Sequence, residues 1–580
     1  MSIIGSNILA GAAGSGVSAY EIEQSLRFNS GDTHSLSRTP SSVGNRRTWT
    51  YSVWVKIGNS AGDTSCILNA GDYNYGTYIW TRDGGHFAIG RYSGGYTFLV
   101  EAAGFYRDPS AWYHLFVKFD STQATASDRV KLYVNNEQVT SFINETYPSQ
   151  NYDTDVNDTS THYIGKRRDN GLPLDGYLAE VHLVDGTALD PTDFGEYDDN
   201  GVWRPIAYSG SHGTNGFYLD FSNSSDLGED QAGSNDWTAN NFTTSGTGTD
   251  VMSDTPTTNW CTLNPLQYAN YASATPIYTE GNLVFDSTSG GWSGTTGTVS
   301  VSSGKWYWEY TCAGVTASEK IRNGVYKQGG VLSATGGDIP SSSDVHTYAS
   351  DGTKWDGSSF VSYGATYTSG DVIGVALDLD AGTLVFYKNN TSQGTAYTGL
   401  SGTYSPYFAQ SSDPSSTANF GQRDFAYTPP TGFKALNTAN LPAPDIADGS
   451  DYFQTVLYTG NQTARDITVA DNSGNAWQPD FVWLKSRAGT AGSANHVLFD
   501  AVRGANNGLY SSLANAEAAF TQTLTSFNSD GFSLGTDADF GGSNWSSTTY
   551  VAWNWLAGGS GSSNTDGSIT STVSANPTAG

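Results

Sequence analysis

Between Gly370 and Asn390, Ile373, Val375, Leu377 and Leu379 alternate with Gly374, Ala376 and Asp378. That is the period of a strand with one buried face. Asp380–Thr383 supplies a tight turn, and Leu384–Tyr387 runs back as a second strand. The same alternation recurs along most of the chain. Tyr51, Val53, Val55 and Ile57 are interleaved with Ser52, Trp54 and Lys56, and Leu115, Val117 and Phe119 share one face of Ala111–Asp120. Val130, Leu132 and Val134 precede a turn at Asn135-Asn136, and Gly176–Asp185 is a late strand. Gly304–Tyr310 sets Trp306, Trp308 and Tyr310 on one side, and strands are again expected at Phe481–Arg487, His496–Gly504 and Thr549–Leu556. The pattern predicts an all-β chain of serial β-sandwich (jelly-roll) domains joined by short linkers.

Ser25-Leu-Arg-Phe, Trp54-Val-Lys, Trp112-Tyr-His and Leu132-Tyr-Val-Asn-Asn follow one another at hairpin spacing. In that order they resemble the laminin-G or concanavalin-A-like jelly roll, over residues 22–207. The 370–390 hairpin, Gly304–Tyr310, Thr347–Trp355, Tyr404–Ala409 and Ala418–Gly421 together resemble a SPRY domain, over residues 266–437. This resemblance implies a sandwich that binds without catalysing, though its loops differ from those that hold peptides in animal relatives. Residues 208–265 lose regular alternation and read as an ordered connector. That connector, and the β module expected at 451–557, resemble segments of tailed-bacteriophage appendage proteins. Residues 438–450 form a linker containing Pro442-Ala-Pro444.

The first 21 residues are small, apolar and glycine-rich. Ile3, Ile4, Ile8 and Leu9 are poor solvent-exposed residues, which marks this stretch as a candidate anchor peptide that orders when docked in a larger assembly. Residues 558–580 are rich in Gly, Ser and Thr and read as the approach to a further domain.

Composition narrows the function classes. At 580 residues the chain exceeds one core, and only 14% of it is charged against about 25% in an average protein. Solubility therefore rests on Ser, Thr, Asn and 68 Gly. A formal net charge of −29 argues against nucleic acid as a partner. No apolar run reaches a membrane span, and the N-terminus lacks the basic start of an export signal. The three cysteines, Cys66, Cys261 and Cys312, lack metal spacing and read as small buried hydrophobes.

Candidate chemistry is sparse. Glycosidic cleavage needs two carboxylates about 5–10 Å apart, and the Glu-x-Asp-x-x-Glu pattern of jelly-roll glycosidases is missing. Glu21/Glu23 and Glu196/Asp198/Asp199 lie at a domain entrance and in a loop. His114 and His182 fall on strand positions facing away from the aliphatic set. No cofactor is expected. Calcium is the ion that the laminin-G resemblance leaves open, with Asp120, Asp175 and Asp185 as strand-end candidate ligands. The amide- and aromatic-rich segment Tyr73–Trp80 offers Tyr73, Tyr75 and Tyr78 as candidate ligand-binding residues, since sugars stack on exposed rings.

Taken with the resemblances, these features imply a non-enzymatic structural protein of a phage virion, made in the host cytoplasm. It would be a tail fibre or similar appendage, attached by its N-terminal peptide and meeting a host-surface glycan or receptor. A head decoration or head fibre is the alternative, and a polysaccharide depolymerase the second. Its other partners would be tail or portal-proximal virion proteins and further copies of itself, as a trimer or dimer.

Overall fold

The computed structural model describes residues 20–578, apart from 59–63, 73, 199–200, 247, 271–275, 288–290, 316–319, 331, 333–342, 412–414, 443–445, 447, 489–494 and 538–541. The described residues are strands, turns and five short 3-10 helices. They fall into two compact units. Among the described residues, one holds 20–196 and Trp203–Pro442, and the other holds Tyr197–Val202 and the chain beyond Pro442.

The first sandwich pairs two eight-stranded sheets. One is built on Thr48–Ile57, Trp112–Asp120, Val130–Val134 and Gly176–Asp185, the other on Ser65–Gly71, Tyr75–Arg82, His86–Ser93 and Tyr96–Ala102. Alternation works as expected: Tyr51, Val53, Val55, Leu115, Val117 and Phe119 point into a core with Ile79, Ile89 and Val100. Three strands of the stretch read as a connector belong to this sandwich. Phe217–Leu219 pairs with Gly176–Asp185, Thr238–Asn240 with Ser35–Arg38, and Val251–Met252 with Ser25–Phe28. Strands of two or three residues are too short to show a period, which is why the sequence looks irregular there.

The second sandwich pairs two seven-stranded sheets, and the 370–390 hairpin folds with Asp378 opposite Thr383 and Ile373 opposite Lys388. Trp306, Trp308 and Tyr310 are buried in its core. One apolar cluster runs through both sandwiches: Trp54, Trp112 and Tyr177 of the first join Leu263, Leu283, Phe285 and Trp306 of the second. The turn at Glu280–Leu283 docks on the first domain, where the Tyr177 hydroxyl donates to the Gly281 carbonyl at 2.7 Å. Gly281 has φ +62° and leaves no room for a side chain, since a Cβ there would lie 2.6 Å from the Tyr177 ring.

A buried cation locks this junction. Lys56, 1% exposed, donates to Asp254 Oδ2 at 2.7 Å, Asn259 Oδ1 at 2.7 Å and the Trp260 carbonyl at 2.8 Å. Asp254 is fully buried and also accepts from Trp112 Nε1 at 3.0 Å and the Trp260 amide at 3.2 Å. At the chain's entry, the Tyr20 hydroxyl donates to Glu180 at 2.6 Å.

In the second unit, a six-stranded and a three-stranded sheet enclose Val482, Leu484, Val497, Phe499, Phe532, Leu534 and Tyr550.

Two predictions follow from this packing. Lys56→Ala strands the Asp254 carboxylate in the core, and should cost about 3–5 kcal/mol. Lys56→Met combined with Asp254→Leu should recover much of that. Calorimetric unfolding of the 20–442 transition measures both. The second concerns acid. His114 Nδ1 accepts from Trp203 Nε1 at 3.0 Å, leaving its Nε2 proton for Ser52 Oγ at 2.7 Å. His162 Nε2 accepts the Asn157 amide at 3.2 Å while Nδ1 faces the Ser160 carbonyl. Burial holds both imidazoles neutral, His114 down to about 3 and His162 to about 4. The unfolded chain binds these protons near pH 6.5 and the folded chain does not. The stability they contribute is therefore complete above pH 6.5 and falls as the pH drops. The melting temperature of this unit should decline between pH 6.5 and 5, above the carboxylate range. A flat profile there would contradict the assignment.

Candidate functional site

The outward face of the second sheet in the first sandwich carries a hollow of about 410 Å³. Along Tyr75–Arg82, Ile79 turns into the core while Tyr78, Trp80 and Arg82 alternate outward. Trp80 stands opposite Cys66 on one side and Ala88 on the other, and Tyr78 opposite Gly90. These small neighbours keep the floor low, and a Cβ on Gly90 would meet the Trp80 ring at 3.0 Å. Tyr92, Tyr96, Arg167 and Leu172 form the walls.

The rings make a continuous aromatic lining. Tyr78 meets Trp80 edge-on at 5.4 Å, Trp80 stacks under Tyr96 at 6.3 Å, and Tyr96 meets Tyr92 at 5.4 Å. The Arg82 guanidinium lies over both Trp80 and Tyr96, at 5.9 and 5.6 Å. Tyr78 and Trp80 are buried, whereas Tyr96 is 47% exposed and presents its ring outward. Each guanidinium is charge-paired: Arg82 with Glu101 at 2.9 Å, Arg167 with Asp169 at 2.7 and 2.8 Å. The Asp169 pairing holds Arg167 above its ordinary pKa and Asp169 below its own. The hollow thus offers apolar ring faces and planar N–H donors without excess charge, a surface suited to hydroxyl-rich rings. Beneath it, burial pushes the Cys66 thiol up, which makes it an inert core residue.

Of the three tyrosines singled out by sequence, Tyr73 and the anchor residues Ile3, Ile4, Ile8 and Leu9 lie outside the described residues. Tyr75 is 58% exposed. Tyr78 lines the hollow with its hydroxyl donating to the Asp72 carbonyl at 3.0 Å. Arg82, Tyr92, Tyr96 and Arg167 were not foreseen. Tyr92, Tyr96 and Arg167 come from other segments, and the usable signal for Arg82 was its place on the Tyr78–Trp80 face.

A larger cleft of about 700 Å³ between the two sandwiches is polar, lined by Arg27, Asp250, Glu280, Glu309 and Arg423 among others. Three of its acids are engaged. Asp250 and Glu280 both pair with Arg27, at 2.8 and 2.5 Å, and Glu309 accepts the Ala426 and Tyr427 amides and the Tyr307 hydroxyl. Asp120 and Asp185 end two different strands, and Asp175 immediately precedes Gly176–Asp185. Asp120 accepts from Thr122 and Gln123, Asp175 from the Gly281 amide, and Asp185 from Asn45, Asn157 and Asn215. Among the described residues, no group of three or more His, Cys, Asp or Glu side chains is arranged to hold a metal ion.

The fold and hollow define a multidomain β protein with a lectin-like first domain. Comparison with known families agrees. Residues 29–193 match the concanavalin A-like lectin/glucanases superfamily, residues 305–423 the SPRY domain, and residues 448–580 a domain of unknown function. The chain is 36% identical over 101 residues to the E3 ubiquitin-protein ligase RKP of Arabidopsis thaliana, a match covering 16% of this chain and 8% of that protein. It spans less than a fifth of the length of the curated relatives it matches. Among solved structures, the SPRY domain of human HERC1 aligns at 19% identity and TM-score 0.24, covering 28% of this chain and 99% of the other. A Bacteroides ovatus protein titled, provisionally, as carbohydrate-binding aligns at 16% identity and TM-score 0.28, covering 38% and 59%.

Proposed function

We propose that this chain is a non-catalytic recognition protein that binds carbohydrate at a cell surface through the Tyr92–Tyr96 hollow, as a tail fibre or similar appendage of a phage particle. The observation that carries the binding reading is the exposed Tyr96 ring, held between Trp80, Tyr92 and the Arg82 guanidinium. A sugar ring stacked there meets a pre-formed apolar face flanked by fixed donors, so little ordering is left for the binding step to supply. The concanavalin A-like match over the same residues supports it. A binding rather than cleaving role is supported by the hollow's lining, which among the described residues includes no carboxylate or imidazole.

The virion reading rests on the sequence resemblance of the connector and C-terminal module to phage appendage proteins, and on the apolar leader ahead of Tyr20. Tyr20 is tied to Glu180 and to Tyr218, and the Ile22 amide and carbonyl both bond to the Thr257 hydroxyl, so the chain that follows the leader is held on the first sandwich.

On a glycan array, the wild-type chain should bind a defined set of surface glycans, and Tyr96→Ala should lower that affinity at least tenfold with an unchanged melting curve. Tyr96→Phe should retain it. Equal binding by Tyr96→Ala would refute the site. For the second part, deletion of residues 1–19 should leave folding intact and abolish incorporation into particles, read by immunoblot of purified virions.

A further inference from the structure

We infer that the second unit carries a separate, open aromatic binding face for an extended neutral polysaccharide, built on the outer side of its six-stranded sheet. This surface is independent of the hollow in the first sandwich.

Alternation sets Val482, Leu484, Val497, Phe499, Tyr550 and Ala552 into the core. Their neighbours along each strand turn the other way and line up in three rungs. Phe453, Trp555 and Phe481 stand opposite one another in the first rung. Thr455, Trp553, Trp483 and Leu498 form the second, and Leu457, Val551 and Lys485 the third. The rings touch across strands: Phe453–Trp555 at 4.8 Å, Phe481–Trp555 at 5.1 Å and Trp483–Trp553 at 5.5 Å. Trp483 is further fixed by its Nε1 donating to His496 Nδ1 at 3.0 Å. Phe453 is 38% and Leu457 57% exposed, and the rings between them are half-buried. The ring planes are inclined to one another by 52–69°, and Val551 between Leu457 and Lys485 is buried, so the result is an open but ridged aromatic surface.

Area decides between occupants. Four strands about 4.8 Å apart and three rungs about 7 Å apart give a face of about 400 Å². A stable interface between two copies needs about 800 Å² from each. A polysaccharide chain, laying the C–H faces of successive rings on the two aromatic rungs, needs no more than is present. Charge decides its class. The face presents Lys485, together with Asp500 neutralised by Arg503 at 2.5 Å, on a chain of formal net charge −29. The face therefore carries little charge of its own, so stacking dominates and a neutral polymer suffices. The aromatic rings follow one another across neighbouring strands, an order that an extended chain can track.

Affinity electrophoresis of the full chain tests this, with hydroxyethylcellulose as neutral extended probe and polygalacturonate as acidic control. Hydroxyethylcellulose should retard the wild type, little affected by salt. Phe453→Ala and Trp483→Ala should each lower apparent affinity at least tenfold, and Trp483→Phe should stay within threefold. Phe453 is at the sheet edge, so Phe453→Ala remains informative if Trp483→Ala fails to fold. Tyr96→Ala, which disables the hollow, should leave this retardation intact. The inference is overturned if the wild type is not retarded, if polygalacturonate retards it as much, or if Phe453→Ala binds as well as wild type. It is equally overturned if sedimentation shows that Phe453→Ala dissociates an oligomer, because the face would then belong between copies.

Discussion

The Lys56 ammonium is the constraint on which the first 442 residues depend. A buried lysine has three protons to satisfy, and here each finds an oxygen, from Asp254, Asn259 and Trp260. All three acceptors belong to the segment leading into the second sandwich, while the lysine belongs to a central strand of the first. Separating the two would expose a half-neutralised pair in an apolar setting, so the segment has one tenable position. The interaction contributes more to specificity than to net stability, since an apolar replacement of the pair could be as stable. What it fixes is the placement of Trp112 and Trp260 at the junction, and the apolar cluster shared by both domains follows from that.

This junction also explains where binding surface is left. Trp54, Trp112 and Tyr177 sit on the strands of the first sheet, and their outward faces are covered by the second sandwich. The other sheet keeps its outer face, and there Tyr78, Trp80, Tyr92 and Tyr96 gather. The rings of that hollow come from paired strands, whereas Arg167 and Leu172 reach it from the segment between His162–Ile164 and Gly176–Asp185. The second unit reaches a different result from the same alternation. Large rings on adjacent strands pack against one another at inclined angles and leave an open, ridged face instead of a hollow.

Period-two alternation made the fold legible. The Gly370–Asn390 hairpin, the Thr48–Ile57 strand and the Trp306/Trp308/Tyr310 face all follow from counting every second residue. Phe217–Leu219, Thr238–Asn240 and Val251–Met252 were not legible as part of the first sandwich, since such short strands gain their stability from long-range pairing and carry no local signature. The candidate site was half legible. Tyr78 is named by the richness of its own segment, but Tyr96 joins it only through the register of two intervening turns, and Lys56 gave no sign that its outward position would be covered. Sequence reports which side of a strand a residue takes. Whether that side meets water or another domain is set by tertiary docking.

The charge distribution argues for how these surfaces would work. The chain is strongly acidic overall, yet the guanidiniums at the hollow, Arg82 and Arg167, are each paired with a carboxylate. Arg503 beside the open face is likewise paired with Asp500. Such pairs keep their hydrogen-bonding directions but present little net field, and beyond about 8 Å at physiological ionic strength the remaining surface charge is screened. Recognition by long-range attraction is therefore poorly served, whereas recognition by ring stacking and fixed donors is well served. Stacking is weak per contact and changes little with salt, so affinity has to come from having several rings in place before the ligand arrives. In each surface that requirement is met by strands whose neighbours determine which way each aromatic side chain faces.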